Sequence, residues 1–129
     1  MRQNLFLAYI CTILLACTKP DDVKKIIEDN LDIISTTTPA SIVKGQEIIS
    51  TIQCQGPNLC YSFHRLEITE TSPRQFEIRA KAHVQGSVCA MALYRVDTVA
   101  RIPALTSGQY LLRFYNASRL FKTDTVQVN

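Results

Sequence analysis

The chain has 129 residues, 47% of them hydrophobic and 19% charged, with a formal charge of +3. That is enough for one hydrophobic core and too little for two, and it excludes wholesale disorder. No run of five or six like charges occurs, which excludes a basic arm for nucleic acid.

The charge is unevenly spread. Residues 17–40 carry three lysines against five acids, net −2, and residues 41–129 carry ten Lys or Arg against six acids, net +4. A weakly basic body can favour acidic partners such as polysaccharides or anionic headgroups. Solvated arginines on sheet faces account for the same balance.

In chain order, Met1-Arg2-Gln3-Asn4 is a short positive segment, and residues 5–16 are apolar except for Thr12. Twelve residues are too few to span a hydrocarbon core of about 30 Å, and they match the apolar region of a signal peptide. Leu14-Leu15-Ala16 then precede Cys17. This resembles the lipobox of bacterial lipoproteins. The resemblance implies removal of residues 1–16 and attachment of lipid to Cys17, an anchor made durable by several acyl chains at about 0.8 kcal/mol per buried methylene. The following Thr18-Lys19-Pro20-Asp21-Asp22 is similar to export signals of Bacteroidetes-type lipoproteins, which implies the outer membrane, on its periplasmic or cell-surface side.

Residues 17–40 read as a lipid-anchored tether. Val23, Ile26, Ile27 and Leu31 recur at near-helical spacing, and Asp21 or Asp22 can cap a helix there. Ile33-Ile34 and Ser35-Thr36-Thr37-Thr38 favour extended chain. A helix of two or three turns leading into a loose linker is expected.

From residue 41 onward, Gly45, Gly56-Pro57, Pro73, Gly86, Pro103 and Gly108 cut the chain into runs of roughly seven to fifteen residues, the punctuation of an all-β sandwich or barrel. Strands are expected over 48–52, 61–71, 76–84, 88–99, 110–115 and 120–128. In the third, Phe76, Ile78, Ala80, Ala82 and Val84 alternate with Glu77, Arg79, Lys81 and His83, one apolar face and one wet face. In the fourth, Ala90, Ala92, Tyr94 and Val96 share a face. Ser72-Pro73-Arg74 and Asn116-Ala117-Ser118-Arg119 read as turns; the latter also matches a glycosylation sequon.

Leu105, Gly108, Tyr110, Leu112 and Phe114 resemble the lead-in to the penultimate strand of immunoglobulin-like and fibronectin-like domains. There a tyrosine hydrogen-bonds back to the chain at the corner. The resemblance implies an Ig-like antiparallel β-sandwich of about six or seven strands over residues 41–129. The core Trp of antibody domains is missing, since the chain has no Trp.

Of five Cys, Cys11 leaves with the signal and Cys17 takes lipid. Cys54, Cys60 and Cys89 remain, and one disulfide plus one free thiol is the simplest outcome in an oxidising compartment. The segments around Cys60 and Cys89 resemble the paired cysteine contexts of small Ig-like bacterial lipoproteins, which implies a Cys60–Cys89 bridge. A loop of that size is rated at about 3 to 4 kcal/mol by the chain-entropy model. Cys54–Cys60 and Cys54–Cys89 stay open on strand geometry.

Catalytic chemistry finds no motif. Cys54, Cys60 and His64 are only loosely spaced for zinc, and Ser62 with His64 lacks the Gly-x-Ser-x-Gly elbow of a hydrolase. Glu67, Glu70 and Glu77 form no glycosidase pair, and no Gly-rich phosphate loop exists. No cofactor or metal is expected. Arg65, Arg79, Lys81 and His83 are a candidate basic patch for a glycan or protein partner. The expectation is a membrane-anchored, non-enzymatic binding or structural module, or in the alternative an inhibitor or carrier acting through the Gly56-Pro57-Asn58 loop.

Overall fold

The computed structural model describes residues 26–129. The expected signal segment 1–16, the lipid-bearing Cys17 and the start of the tether lie outside the described residues. Eight strands follow in order: β1 (Ile27–Thr37), β2 (Ser41–Ile42), β3 (Glu47–Gly56), β4 (Tyr61–Ser72), β5 (Gln75–Val84), β6 (Tyr94–Pro103), β7 (Gly108–Asn116) and β8 (Arg119–Val128). They form one curled sheet in the order β2-β8-β7-β5-β1-β3-β6, with β4 on the outer edge of β5.

The curl comes from β1. Its first half, Ile27 to Leu31, pairs with Val84 to Ala80 of β5, and its second half, Asp32 to Thr37, pairs with Gln55 to Thr51 of β3. β1 changes partner between Leu31 and Asp32, and a bulge between Ile33 and Ser35 follows just after the change, adding local twist there. β5 is accordingly shared along one edge. Gln75 to Ile78 pair with β7 and Ala80 to Val84 pair with β1.

The core is built by period-two alternation. Leu31, Ile33, Ile48, Ile52, Ile78, Leu112, Phe114, Val126 and Val128 are fully buried, and each such side chain contributes about 1.5–3 kcal/mol relative to exposure. Ser50 is the buried polar residue of this set; its hydroxyl meets Thr38 Oγ1 at 2.7 Å.

Three expectations need correction. Ile27 to Leu31 are strand rather than the expected helix, and with the extended residues that follow they belong to the sandwich well before residue 41 rather than to a loose linker. Near-helical spacing loses because Leu31 and Ile33, two apart, bury on one face of a pleat. The strand set is eight rather than six or seven and is not purely antiparallel, since β5–β7 and β2–β8 run parallel. The strand expected over 88–99 begins only at Tyr94 and continues to Pro103; residues 85–93 loop across the end of the sandwich instead. The expected face holds only for Tyr94 and Val96, which Ala100 and Ile102 continue into the core; Ala90 and Ala92 are exposed in the loop.

The two turns fall where Ser72-Pro73-Arg74 and Asn116-Ala117-Ser118-Arg119 place them. Arg74 and Ala117 adopt left-handed φ of 61° and 55°. At the corner before β7, Tyr110 donates its hydroxyl to Thr106 O at 3.0 Å, the backward hydrogen bond expected of that tyrosine.

Candidate functional site

The outer face of the β4–β5–β1 layer collects most of the charged residues singled out in the sequence. Register sets Arg65 opposite Lys81, Glu67 opposite Arg79 and Glu28 opposite His83. A bulge at His64, between Phe63 and Arg65, puts two consecutive side chains on the wet face. Strict alternation would have turned one of them inward.

Arg65, Arg79, Lys81 and His83 therefore share a face, but the polar heads of Arg65, Arg79 and Lys81 are engaged. Arg65 reaches Glu28 at 3.3 Å and Glu67 at 3.4 Å. Arg79 pairs with Glu77 at 3.1 Å, donates Nε to Ala117 O at 2.9 Å and lies 4.5 Å from the Tyr115 ring centroid. Lys81 Nζ donates to Asn30 Oδ1 at 2.8 Å. These contacts fix the side chains on the sheet, so a ligand must compete with them for the same cations.

His83 stacks on His64 with ring centroids 3.8 Å apart and planes 24° from parallel. Glu28 Oε2 stands 3.9 Å from His64 Nε2. Glu28 falls in the tether on sequence alone, and its place beside two histidines follows only from the pairing of β1 with β5.

One end of the sandwich is pinned covalently. Cys60 and Cys89 are disulfide-bonded, the pairing the resemblance implied, although Cys89 lies in the 85–93 loop rather than at the head of a strand. Leu59 N donates to Ala90 O at 3.2 Å, which holds the 57–60 loop against it. Val88 and Met91 are 93% and 94% exposed, and Leu59 and Leu93 are about half exposed. Ile27 pairs with Val84 at this same end, so β1 begins beside the apolar loops. Cys54 stays a free, buried thiol in β3. Burial first, and the Asp97 charge second, push it up to about 12. With Cys60 oxidised and Cys54 buried, the loosely zinc-like set of Cys54, Cys60 and His64 does not assemble.

The opposite end carries a cleft of about 310 Å³. Its walls come from the β4–β5 turn (Glu70, Arg74, Phe76) and from the β6–β7 connection (Leu105, Thr106), with Tyr110 beneath. Phe76 and Tyr110 lie nearly parallel, 5° between planes, at 6.3 Å. Gly108, with φ of +133°, lets the connection pass Arg74: a Cβ there would meet Arg74 Nε at 3.0 Å. Apolar walls with a few charged groups at the rim are the usual make-up of a small-ligand or peptide site, and the volume is at the low end of that class.

The layers, the buried alternation and the two dissimilar ends define an all-β sandwich domain. The family model described as the ORF11 beta-sandwich domain matches residues 50–128. That is well over half of the chain, which belongs to this family. No curated protein and no solved structure matches the chain.

Proposed function

We propose that this protein is a lipid-anchored, extracytoplasmic binding module of the bacterial outer membrane, tethered through Cys17 and acting by binding rather than catalysis. The observation that carries the reading is the opposition of the two ends. The tether side has exposed Val88 and Met91, and the far side has the cleft. Eight residues link Cys17 to Ile26, and the nine backbone steps span at most about 30 Å when extended. A short leash therefore keeps the apolar, disulfide-pinned end near the bilayer and turns the cleft outward. A disulfide is also what an oxidising compartment outside the cytoplasm maintains.

The architecture is best described as Ig-like. Support comes from the Tyr110 corner bond and from a first strand that is divided between both layers. The cleft suits a peptide segment with an apolar side chain, held between Phe76 and Leu105, with Glu70 and Arg74 available to its polar groups. The basic face is a weaker candidate because its cations are already paired.

The test has two arms. Cys17→Ser should release the protein from membranes; retention in the membrane fraction with residues 1–16 removed would sink the anchoring. Leu105→Glu and Arg74→Glu should each lower capture on a peptide array by tenfold or more, while Arg79→Glu leaves it unchanged. The reverse pattern would move the site to the basic face. A second reading, an inhibitor or carrier, is favoured by exposed Val88 and Met91 on a pinned loop. It predicts that Met91→Ser abolishes protease inhibition or cargo transfer in a detergent-solubilised assay, where a membrane-facing role would leave both unaffected.

A further inference from the structure

We propose that Glu28, His64 and His83 form a binding site for a single divalent transition-metal ion, of which Zn²⁺ is the representative. The site stands independently of the anchoring and of the cleft.

Three adjacent strands each supply one residue: β1 gives Glu28, β4 gives His64 and β5 gives His83. Their ligand atoms all lie within 4.8 Å of one another. Ligands around one tetrahedral zinc stand about 3.3 to 3.6 Å apart, given metal–ligand bonds of about 2.0–2.2 Å. The two imidazoles stack with ring centroids 3.8 Å apart, so binding requires at least one ring to turn out of the stack until the in-plane nitrogen lone pairs converge on the ion; these side chains have room to turn, His64 and Glu28 being 37% and 42% exposed.

The backbone beneath is held. Glu28 and His83 face each other in the β1–β5 ladder. The bulge in β4 aims His64 outward next to Arg65, and that irregularity is what brings the second imidazole alongside the first. Bulges of this kind re-aim side chains at sites of function.

The chemistry of the donors selects the ion. Two imidazoles and one carboxylate favour zinc, copper or nickel, whereas calcium and magnesium take oxygen ligands. Arg65 occupies Glu28 Oε1 and not Oε2, so one carboxylate oxygen faces His64. Arg65 also bonds Glu67 and retains that partner when Glu28 turns to a cation. Three protein ligands leave at least one coordination position open, to be filled by water or by a donor from another molecule. A bound ion would cross-link β1, β4 and β5, and by mass action would stabilise the fold that presents all three.

The test is titration calorimetry of the full-length protein, in detergent and in a non-chelating buffer, with Zn²⁺ alone as the probe. One ion per chain is expected. His64→Ala and His83→Ala should each weaken binding by at least tenfold, and Glu28→Gln by a smaller factor. Near-UV circular dichroism of each variant should match the parent, since the three side chains are at the surface. Addition of Zn²⁺ should raise the Tm of the parent and leave that of the His64→Ala/His83→Ala variant unchanged. Cu²⁺ in place of Zn²⁺ should show two equatorial nitrogens by electron paramagnetic resonance. Absence of saturable Zn²⁺ uptake, or uptake retained in the double variant, would overturn the proposal, as would a Cu²⁺ signal without imidazole nitrogen.

Discussion

Asn116 hydrogen-bonds both backbone groups of Ile33, 83 positions earlier in the chain. Its Oδ1 accepts from Ile33 N at 2.7 Å and its Nδ2 donates to Ile33 O at 3.2 Å. The amide acts at the point where β7 ends along the edge of β5 and β1 swings between layers. There the β1 ladder breaks register, and Ile33, only 1% exposed, would otherwise depend on the bulged strand alone for its polar groups. A buried backbone group left unpaired costs about 1–3 kcal/mol.

Asn116→Asp keeps the acceptor and loses the donor to Ile33 O, and Asn116→Ala loses both. Destabilisation of about 1–2 kcal/mol is expected for the first and about 2–3 kcal/mol for the second. Urea melts followed by near-UV circular dichroism measure it. If Asn116→Ala matches the parent midpoint, the amide does not hold the crossover. The sequon reading of this residue also loses ground, because the side-chain nitrogen that would take a glycan is already committed to Ile33.

Asp124 makes stability depend on acid. Burial is the largest single influence on its carboxyl and raises it. Hydrogen bonds from Thr38 and Thr36, with Lys122 as both donor and charge, outweigh that, so the net shift is downward. Thr36 and Thr38 reach it at 2.8 Å and 2.7 Å, and Lys122 at 3.0 Å. A folded-state value below the unfolded one stabilises the fold at pH above the ordinary aspartate range near 3.9, and that stability is lost as pH falls through the depressed value. The protein should thus lose stability below about pH 4, and Asp124→Asn should flatten this part of the profile while lowering stability near neutrality. Thermal melts from pH 3 to pH 7 check both, and an Asp124→Asn profile parallel to the parent's would refute the assignment.

Cys54 should be chemically silent while the chain is folded. Thiolate is the reactive form, and burial together with Asp97 pushes this thiol up to about 12. Iodoacetamide at pH 8 should label the parent at less than a hundredth of the rate seen in denaturant. Mass spectrometry should then place the added group on Cys54, the Cys60–Cys89 bridge remaining intact. Rapid labelling without denaturant would mean that β3 opens locally near Ile52 and Cys54.

Much of the sandwich was legible because its signals are local. Phe76 to Val84 alternates cleanly in sequence and does so in β5; Pro73 and Ala117 mark turns where the chain reverses; Tyr110 closes the corner its context suggested. What escaped detection depends on distant partners. Ile27 and Leu31 stand at helical spacing among acids, and only the facing edge of β5 makes that stretch a strand; the extended preference of residues 33–38 is local, but its place beside β3 is not. Missing that pairing also hid Glu28 from His64 and His83. The cleft was equally invisible, since Arg74 and Leu105 come from separate connections brought together by the β5–β7 parallel ladder. Residues 88–93 have apolar alternation that reads as strand, and nothing local reveals that this segment is drawn across the end of the fold and fixed at Cys89.

The split pairing of β1 also bears on how the molecule carries load. A pull on the chain ahead of Ile26, with the far end held by a ligand, is directed along β1. That strand is flanked by β5 over one half and by β3 over the other, so its ladder bonds are loaded together in shear rather than peeled singly, as they would be on an exposed edge. Asn116 and Asp124 grip it from β7 and β8 as well. In single-molecule pulling from residue 26 against residue 129, β1 should give way in one abrupt step, at a force lowered by Asn116→Ala; a gradual, low-force unzipping would contradict this. A domain built so is suited to bearing tension applied at the start of β1.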